Sequence, residues 1–325
     1  PSLAAAIRWA AGAVGARVLH VENLASLPPL TLAAARREGL AVVLSLHDFA
    51  AFCPRPHLLE RPHERFCRYS RDPERCRRCL SQDWRPVGLD DQGERRRAEH
   101  ELLRAADRLV FPSAFLRRTI GELYDGLDPA RQTVIPPALD LPVPIRRRPR
   151  GGVRRIAFVG GSRPHKGGRL LAEIVRHRRL LAGDAEEWVV YGGGGDGETL
   201  RRLRSLGVRV RGYYRAGTLP SLLAADGADV AILPSIVPES YGLVLDECWL
   251  AGCPVVAFDL GAVGERLRQG GGGIAVPVAG GARGLAEAVA RVPGDEGLPV
   301  PAVRPSSTDA AEAYRLLFAG LGAAA

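Results

Sequence analysis

"ADVAILPSIVPESYGLVLDECWLAGCPVVAFD", residues 228–259, reads as strand, helix and strand. A run of β-forming apolar residues ends at Ser235, the helix-period segment "GLVLDECWLAG" begins at Gly242, and "PVVAFD" follows as a second apolar run. That succession predicts a βαβ unit with parallel strands, hence an α/β fold. At the junction of first strand and helix, backbone N–H groups and the positive end of the helix dipole offer a place for a phosphate or other anion. Glu239 lies in the loop above this junction and Glu247 about a turn into the helix. Carboxylates accept hydrogen bonds from hydroxyls, so two of them beside an anion site suit a diphosphate carried between two polyols, as in a nucleotide sugar. Taken alone, the spacing fits better an ordinary amphipathic helix with two solvated glutamates.

The stretch "FVGGSRPHKGG", residues 158–168, repeats the layout of strand, glycine turn and helix start, and it delivers Arg163 and Lys166 to the same sheet edge. Lys166 is the only lysine among 45 basic residues. Under so strong an arginine bias, its survival points to a place where a compact ammonium matters and a planar guanidinium does not fit. The loop is not a Walker A motif, because glycine rather than Ser or Thr follows the lysine. A solvated basic turn is the plainer alternative.

Outward from these motifs the alternation continues. "RRIAFVGG", "EWVVYGGGG" and "VRVRGY" are further strands of the same half, separated by helices, which makes a complete doubly wound domain. In the first half, "ARVLHVEN", "AVVLSLHD", "RLVFP" and "QTVIPP" read as strands, with helices in "PPLTLAAARREG", "DDQGERRRAEHELLRAAD" and "SAFLRRTIGELY". Between the halves, "LPVPIRRRPRGG" has three prolines, a basic run and no period, the composition of a linker. The expected organisation is two Rossmann-like domains: residues 1–141, with a Cys-rich insertion at 53–80, a linker at 142–152, and residues 153–325. The last helical segment, "SSTDAAEAYRLLFAGLG", opens with Ser and Thr as N-cap candidates and fits either domain. Two such sheets facing each other would leave a ligand crevice between their strand ends.

Composition excludes several classes. At 325 residues and 46% hydrophobic the chain is neither disordered nor fibrous, and it contains no run of eighteen apolar residues to span a bilayer. With no basic-then-apolar leader in the sequence and few cysteines, a reducing, cytoplasmic setting is expected. Net charge is +9 and the pI about 9.7, so an anionic partner is expected. The arginine-rich runs "RFCRYSRDPERCRRC" and "RRRPRGG" would suit peripheral contact with anionic lipid at the inner face of the membrane, or else a merely solvated surface.

Four of the six cysteines, Cys53, Cys67, Cys76 and Cys79, fall close together, the last two as Cys-x-x-Cys. Four thiolates suit structural zinc, with His57 or His63 as substitutes for Cys53, although the other spacings are irregular for a zinc ribbon. Free buried thiols or a redox pair are the alternatives. Cys248 and Cys253 read as core.

The motifs "SLHDFAAFCPR", "FPSAFLRRTI", "FVGGSRPHKGG" and "ADVAILPSIVPESYGLVLDECWLAGCPVVAFDLGAVGE", in this order, closely resemble the retaining glycosyltransferases of the GT-B fold, family 4-like, group 1, over residues 17 to 325. The resemblance implies that Glu239 contacts hydroxyls of the transferred sugar and Glu247 the ribose. Backbone amides of Tyr241, Gly242 and Leu243 would hold sugar or phosphate, Lys166 would neutralise the diphosphate, and His47 would sit near the anomeric centre. The base would lie against backbone at Val210 to Gly212. The acceptor would be a glycan or a lipid-linked molecule, and with no Asp-x-Asp pair in the chain no catalytic metal is required. The pattern departs from the family at Gly161, where an arginine usually contacts the diphosphate; Arg163 lies two residues on. The front of the first domain also reads as truncated. A nucleotide-sugar-binding module with little transfer activity is therefore the second reading. A zinc-containing nucleic-acid-binding protein is the third, and nucleic acid is not the expected partner because it leaves both glutamates unexplained.

Overall fold

The computed structural model describes residues 3–22, 30–82, 92–139, 141, 153–183, 185–194, 197–293, 299, 301 and 306–322; the expected linker at 142–152 lies outside them. The chain divides into two compact units, one of Pro1–His63, Cys67–Ala138 and Pro305–Ala325, the other of Glu64–Phe66 and Leu139–Arg304.

Up to residue 134 the chain runs α1 (Leu3–Val14), β1 (Val18–Val21), α2 (Leu30–Arg37), β2 (Ala41–Ser45), a short ribbon of β3 (Leu59–Glu60) and β4 (Arg65–Phe66), α3 (Pro73–Leu80), α4 (Gln92–Ala105), β5 (Arg108–Phe111), α5 (Ala114–Leu123) and β6 (Gln132–Val134), all but β4 in the first unit. Strands β1, β2, β5 and β6 pair in that order, all parallel. The ribbon and α3 organise the Cys-rich segment. Asp72 caps α3, its carboxylate accepting from the Arg75 N–H at 3.1 Å, and Pro73 occupies the first turn, where a missing N–H costs nothing.

The second unit runs β7 (Arg154–Val159), α6 (Gly168–Ala182), β8 (Glu186–Tyr191), α7 (Gly197–Ser205), β9 (Arg209–Gly212), α8 (Leu219–Asp226), β10 (Val230–Leu233), α9 (Leu243–Leu250), β11 (Val255–Phe258), α10 (Gly261–Gly270), β12 (Gly273–Val276) and α11 (Gly281–Arg291). Its six strands lie in the order β12-β11-β10-β7-β8-β9. Successive residues of β7 serve opposite faces: Ile156 and Phe158 enter one core with Leu171, Ile174, Leu285 and Val289, Ala157 and Val159 the other with Leu223, Leu245 and Trp249. Helices thus cover both faces, which is why these strands are continuously apolar rather than alternating. The order reverses beside β7, between β10 and β8, and in such sheets ligands gather at the strand ends flanking that reversal. Strand β12 escaped the sequence reading because its four residues sit behind a run of glycines.

The last helix, α12 (Ser307–Gly322), returns to the first unit. Its Ala310, Ala313, Tyr314, Leu317, Phe318 and Leu321 pack on Val43, Val110 and Ile135, a stripe with the spacing of one helix face. The sequence left this helix open to either domain, with a return to the first among the possibilities; burial of this stripe places it with the first sheet.

Candidate functional site

At the reversal of the second sheet, the loops after β7, β8 and β10 are locked to one another through backbone. Gly161 has φ +67°, and a Cβ there would run into the Gly193 carbonyl. No arginine fits at this position, which accounts for the departure at Gly161 seen in the sequence. Gly167, at φ +76°, lies against the Pro234 carbonyl in the same way. Ser162 donates from its N–H at 3.2 Å and from Oγ at 2.9 Å to the Gly194 carbonyl, and the Ile236 N–H donates to the His165 carbonyl at 3.1 Å. The neighbouring edge is glycine-lined as well: Gly192 N–H donates to Gly212 O at 2.9 Å, the exposed Tyr213 ring lies against Gly193, and Arg163 Nε would stand 3.0 Å from a Cβ on Gly194.

These locked loops carry two charges to one point. Lys166 Nζ donates to Glu239 Oε1 at 2.5 Å, and Ser235 Oγ donates to the same oxygen at 2.8 Å. Burial opposes ionisation of Glu239, but the Lys166 charge, its hydrogen bond and the Ser235 hydroxyl together hold the carboxyl below its usual range. The backbone of Glu239 is pinned by Ala262, whose N–H donates to the Glu239 carbonyl at 2.9 Å, and Gly261 leaves just enough room for it.

Below lies α9, capped by Gly242 at φ +86°, where a Cβ would meet Val263. Its first N–H groups have no acceptor inside the helix. The Tyr241 ring is buried beneath the Arg266 guanidinium, 4.2 Å from the ring centre, and burial with the nearby Asp246 pushes its hydroxyl up to about 12. Arg266 also pairs with Asp246 and reaches the Tyr241 carbonyl at 3.4 Å, so it braces the turn from behind. Leu243 is 43% exposed at the helix start. Glu247, one turn on, is buried, and burial followed by the charge of Asp246 pushes its carboxyl up to about 7. Tyr214 lies near enough to feel that charge. The two glutamates paired by the sequence are therefore in unlike states, one ionised by a lysine, the other near its titration point at neutral pH.

His47 follows β2 at the edge of the first sheet, half-exposed, with Nε2 2.7 Å from Glu22 Oε2. Nothing in its sequence surroundings pointed to Glu22, which comes from β1's end. Ser235 and Arg266 were likewise missed; each matters through another side chain rather than through a motif of its own.

The four clustered cysteines are free thiols, and all line one small pocket with Phe52, Ser70, Arg75, Leu80 and Arg96. Among the described residues no three His, Cys, Asp or Glu side chains are arranged to hold a metal, so the expected structural zinc is not supported. Burial pushes the Cys53 thiol up to about 11, Cys76 donates to the Ser70 carbonyl at 3.5 Å, and Cys79 accepts from the Arg61 N–H at 3.3 Å. His57 is engaged locally, its Nδ1 accepting from the Leu59 N–H at 3.2 Å. Among the described residues no helix is long and apolar enough to cross a membrane.

Residues 153–295 match the model of the family described as glycosyl transferases group 1. A D-inositol 3-phosphate glycosyltransferase of Geodermatophilus obscurus is 37% identical over 202 residues, 55% of this chain and 44% of the relative. A glycogen synthase of Mycobacterium tuberculosis is 33% identical over 190 residues, 54% of this chain and 43% of that protein. The matched part thus spans less than half the length of these relatives. Among solved structures, Anabaena HepE in complex with UDP superposes with a TM-score of 0.62 at 18% identity, covering 87% of this chain and 70% of that one. Sucrose-phosphate synthase from Thermosynechococcus elongatus gives 0.59 at 17% identity, covering 89% and 67%. The fold is the GT-B fold. In sequence, the likeness to the glycosyl transferases group 1 is carried by residues 153–295.

Proposed function

We propose that this protein is a retaining glycosyltransferase that moves a sugar from a nucleoside diphosphate donor to a glycan or lipid-linked acceptor, without a metal on the diphosphate. The observation that carries the reading is the Lys166–Glu239 pair, 2.5 Å apart, held at the sheet reversal by three backbone-locked loops over the start of α9. Departure of the nucleoside diphosphate leaves an oxocarbenium-like sugar and puts negative charge on the leaving oxygen. Fixed positive groups there stabilise the transition state more than the ground state. Lys166 supplies that charge once the diphosphate takes it from Glu239, and the released carboxylate accepts from sugar hydroxyls. Glu247 accepts from the ribose, Gly212 and its strand border the base, and backbone N–H groups at Tyr241, Gly242 and Leu243 meet sugar or phosphate. Arg163 is a second cation for the diphosphate in place of the arginine that Gly161 excludes. His47 serves the anomeric centre.

The UDP in HepE and the polyol named in the inositol phosphate enzyme fit a nucleotide donor and a hydroxyl acceptor of this kind. The reading extends to a cytoplasmic enzyme of polysaccharide assembly that touches anionic membrane peripherally, on the strength of the +9 charge and the arginine-rich residues 65–79. The lost contact at Gly161 favours one second reading, a module that binds nucleotide sugar with little transfer.

Thermal unfolding with UDP, GDP, ADP and dTDP and their common sugars, each against Lys166→Ala and Glu247→Ala, tests the donor site. Saturation at about 100 times Kd stabilises by about 2.7 kcal/mol, a shift of several degrees. One nucleotide should give that shift and both variants should lose it. No shift with any of them would refute the donor site, and binding without release of free sugar or transfer would leave the binding module.

A further inference from the structure

The edge of the first sheet carries a hydrogen-bonded chain of polar side chains from three elements. Glu22, just beyond β1, stands between two imidazoles: its Oε2 lies 2.7 Å from His47 Nε2 and its Oε1 3.3 Å from His20 Nε2. His20 is in turn fixed. Its Nε2 lies 2.8 Å from Ser45 Oγ, Ser45 lies 3.4 Å from the Tyr314 hydroxyl, and the rings of Tyr314 and Phe318 sit 5.3 and 5.6 Å from the His20 ring. The chain starts in the packed face of α12 and ends at a histidine that is half open to solvent.

We propose that Glu22 is the positioning residue of His47, and that the His20–Ser45–Tyr314 chain is what gives Glu22 a fixed place. The inference rests on the reading of His47 as the group that meets substrate. A carboxylate on one imidazole nitrogen holds the proton at that nitrogen and sets the ring's orientation, so the opposite edge of the ring always faces the same way. Burial keeps His20 below the usual histidine range against the pull of Glu22. Neutral, and with its proton on Nε2, it shares that N–H between Ser45 and Glu22 and adds no charge to compete for the carboxylate. His47 and Glu22 are 52% and 58% exposed, so their pair adds little to stability. Its consequence is orientation, and that separates it from a structural ion pair.

Two measurements on the full chain test this. In nitrogen-15 spectra of the histidine side chains, the wild type should show a protected, downfield Nε2–H signal assigned to His47 by its loss in His47→Ala. Glu22→Gln, whose amide oxygen still accepts, should keep the signal, and Glu22→Ala should lose it with the melting temperature unchanged. A wild type without the signal, or an alanine variant that keeps it, overturns the proposal. Hydrolysis of UDP-glucose then reads the consequence. Glu22→Ala should lower kcat about 10- to 100-fold with KM unchanged, Glu22→Gln should recover most of it, and Glu22→Ala/His47→Ala should be no slower than His47→Ala. Additive losses would mean that Glu22 acts apart from His47 and would overturn the assignment. If the wild type releases no UDP, the transfer reading loses this donor, and the spectra still decide the role of Glu22.

Discussion

The ends of the two sheets are built in opposite ways. In the second unit, glycines at 161, 167 and 261 let backbone segments touch, and the charges Lys166 and Glu239 stand on loops that backbone bonds have already immobilised. In the first unit no such cradle exists among the described residues of the corresponding edge; Glu22, His47, His20 and Ser45 hold one another through side chains, and Tyr314 ties them to a helix from the other end of the chain. A backbone cradle suits a ligand with fixed shape and charge, since nothing must reorganise when it arrives. A side-chain network suits a group that must be aimed, and it costs little to change.

A side chain placed in the cradle should have the largest effect. Gly167→Ala combines an unfavourable positive φ with a collision against the Pro234 carbonyl, and should cost about 3 kcal/mol in urea unfolding of the second unit, along with the nucleotide response. An unchanged midpoint would mean that these loops are not rigid. Next in size, Lys166→Arg keeps the charge but not the compact head, and should weaken nucleotide binding about tenfold by calorimetry, about 1.4 kcal/mol. Equal affinity would make the lone lysine an accident of composition.

The two carboxylates of the second unit sharpen the contrast through pH. Glu247 titrates at about 7, and binding to ribose hydroxyls favours its ionised form, so affinity should rise about tenfold from pH 6 to 8 and stay flat in Glu247→Gln. Stability moves the other way. The folded carboxyl keeps its proton above the unfolded value of 4.5, so this group's share of stability falls as pH rises from 4.5 through about 7. A wild-type affinity that does not vary over this range would remove Glu247 from the ligand. Smallest of all, Tyr314→Phe deletes one long hydrogen bond of 3.4 Å and should cost less than about 1 kcal/mol, while leaving nucleotide binding in the other unit untouched. A loss of nucleotide binding in this variant would mean that the Tyr314 hydroxyl matters to the donor site.

Much of this was legible in the residues. Continuous apolar runs alternating with helical periods specify parallel, doubly covered strands because each pattern buries its apolar face in only one way. The stretch 228–259 alone announced strand, loop and helix, whereas roles for Glu239 and Glu247 came only with the family resemblance. Three things were not legible. Strand β12 is four residues long and flanked by glycines, too short for a period to show. The cysteine spacing left zinc and free buried thiols both open, and only the fold shows all four thiols lining one pocket beside a short helix. The affiliation of α12 rests on partners nearly 200 residues or more away, such as Ile135 and Val43.

By itself, then, the sequence determined the α/β class, the glycine turns and the identity of the charges at the second sheet's edge, because these follow from local periods and from residue types that tolerate few backbones. Only the tertiary structure decided that Lys166 pairs with Glu239, that Glu247 rather than Glu239 is the buried carboxyl near neutrality, and that Glu22 meets His47. Pairing and burial depend on which distant segments share a sheet edge, and no local pattern encodes that distance.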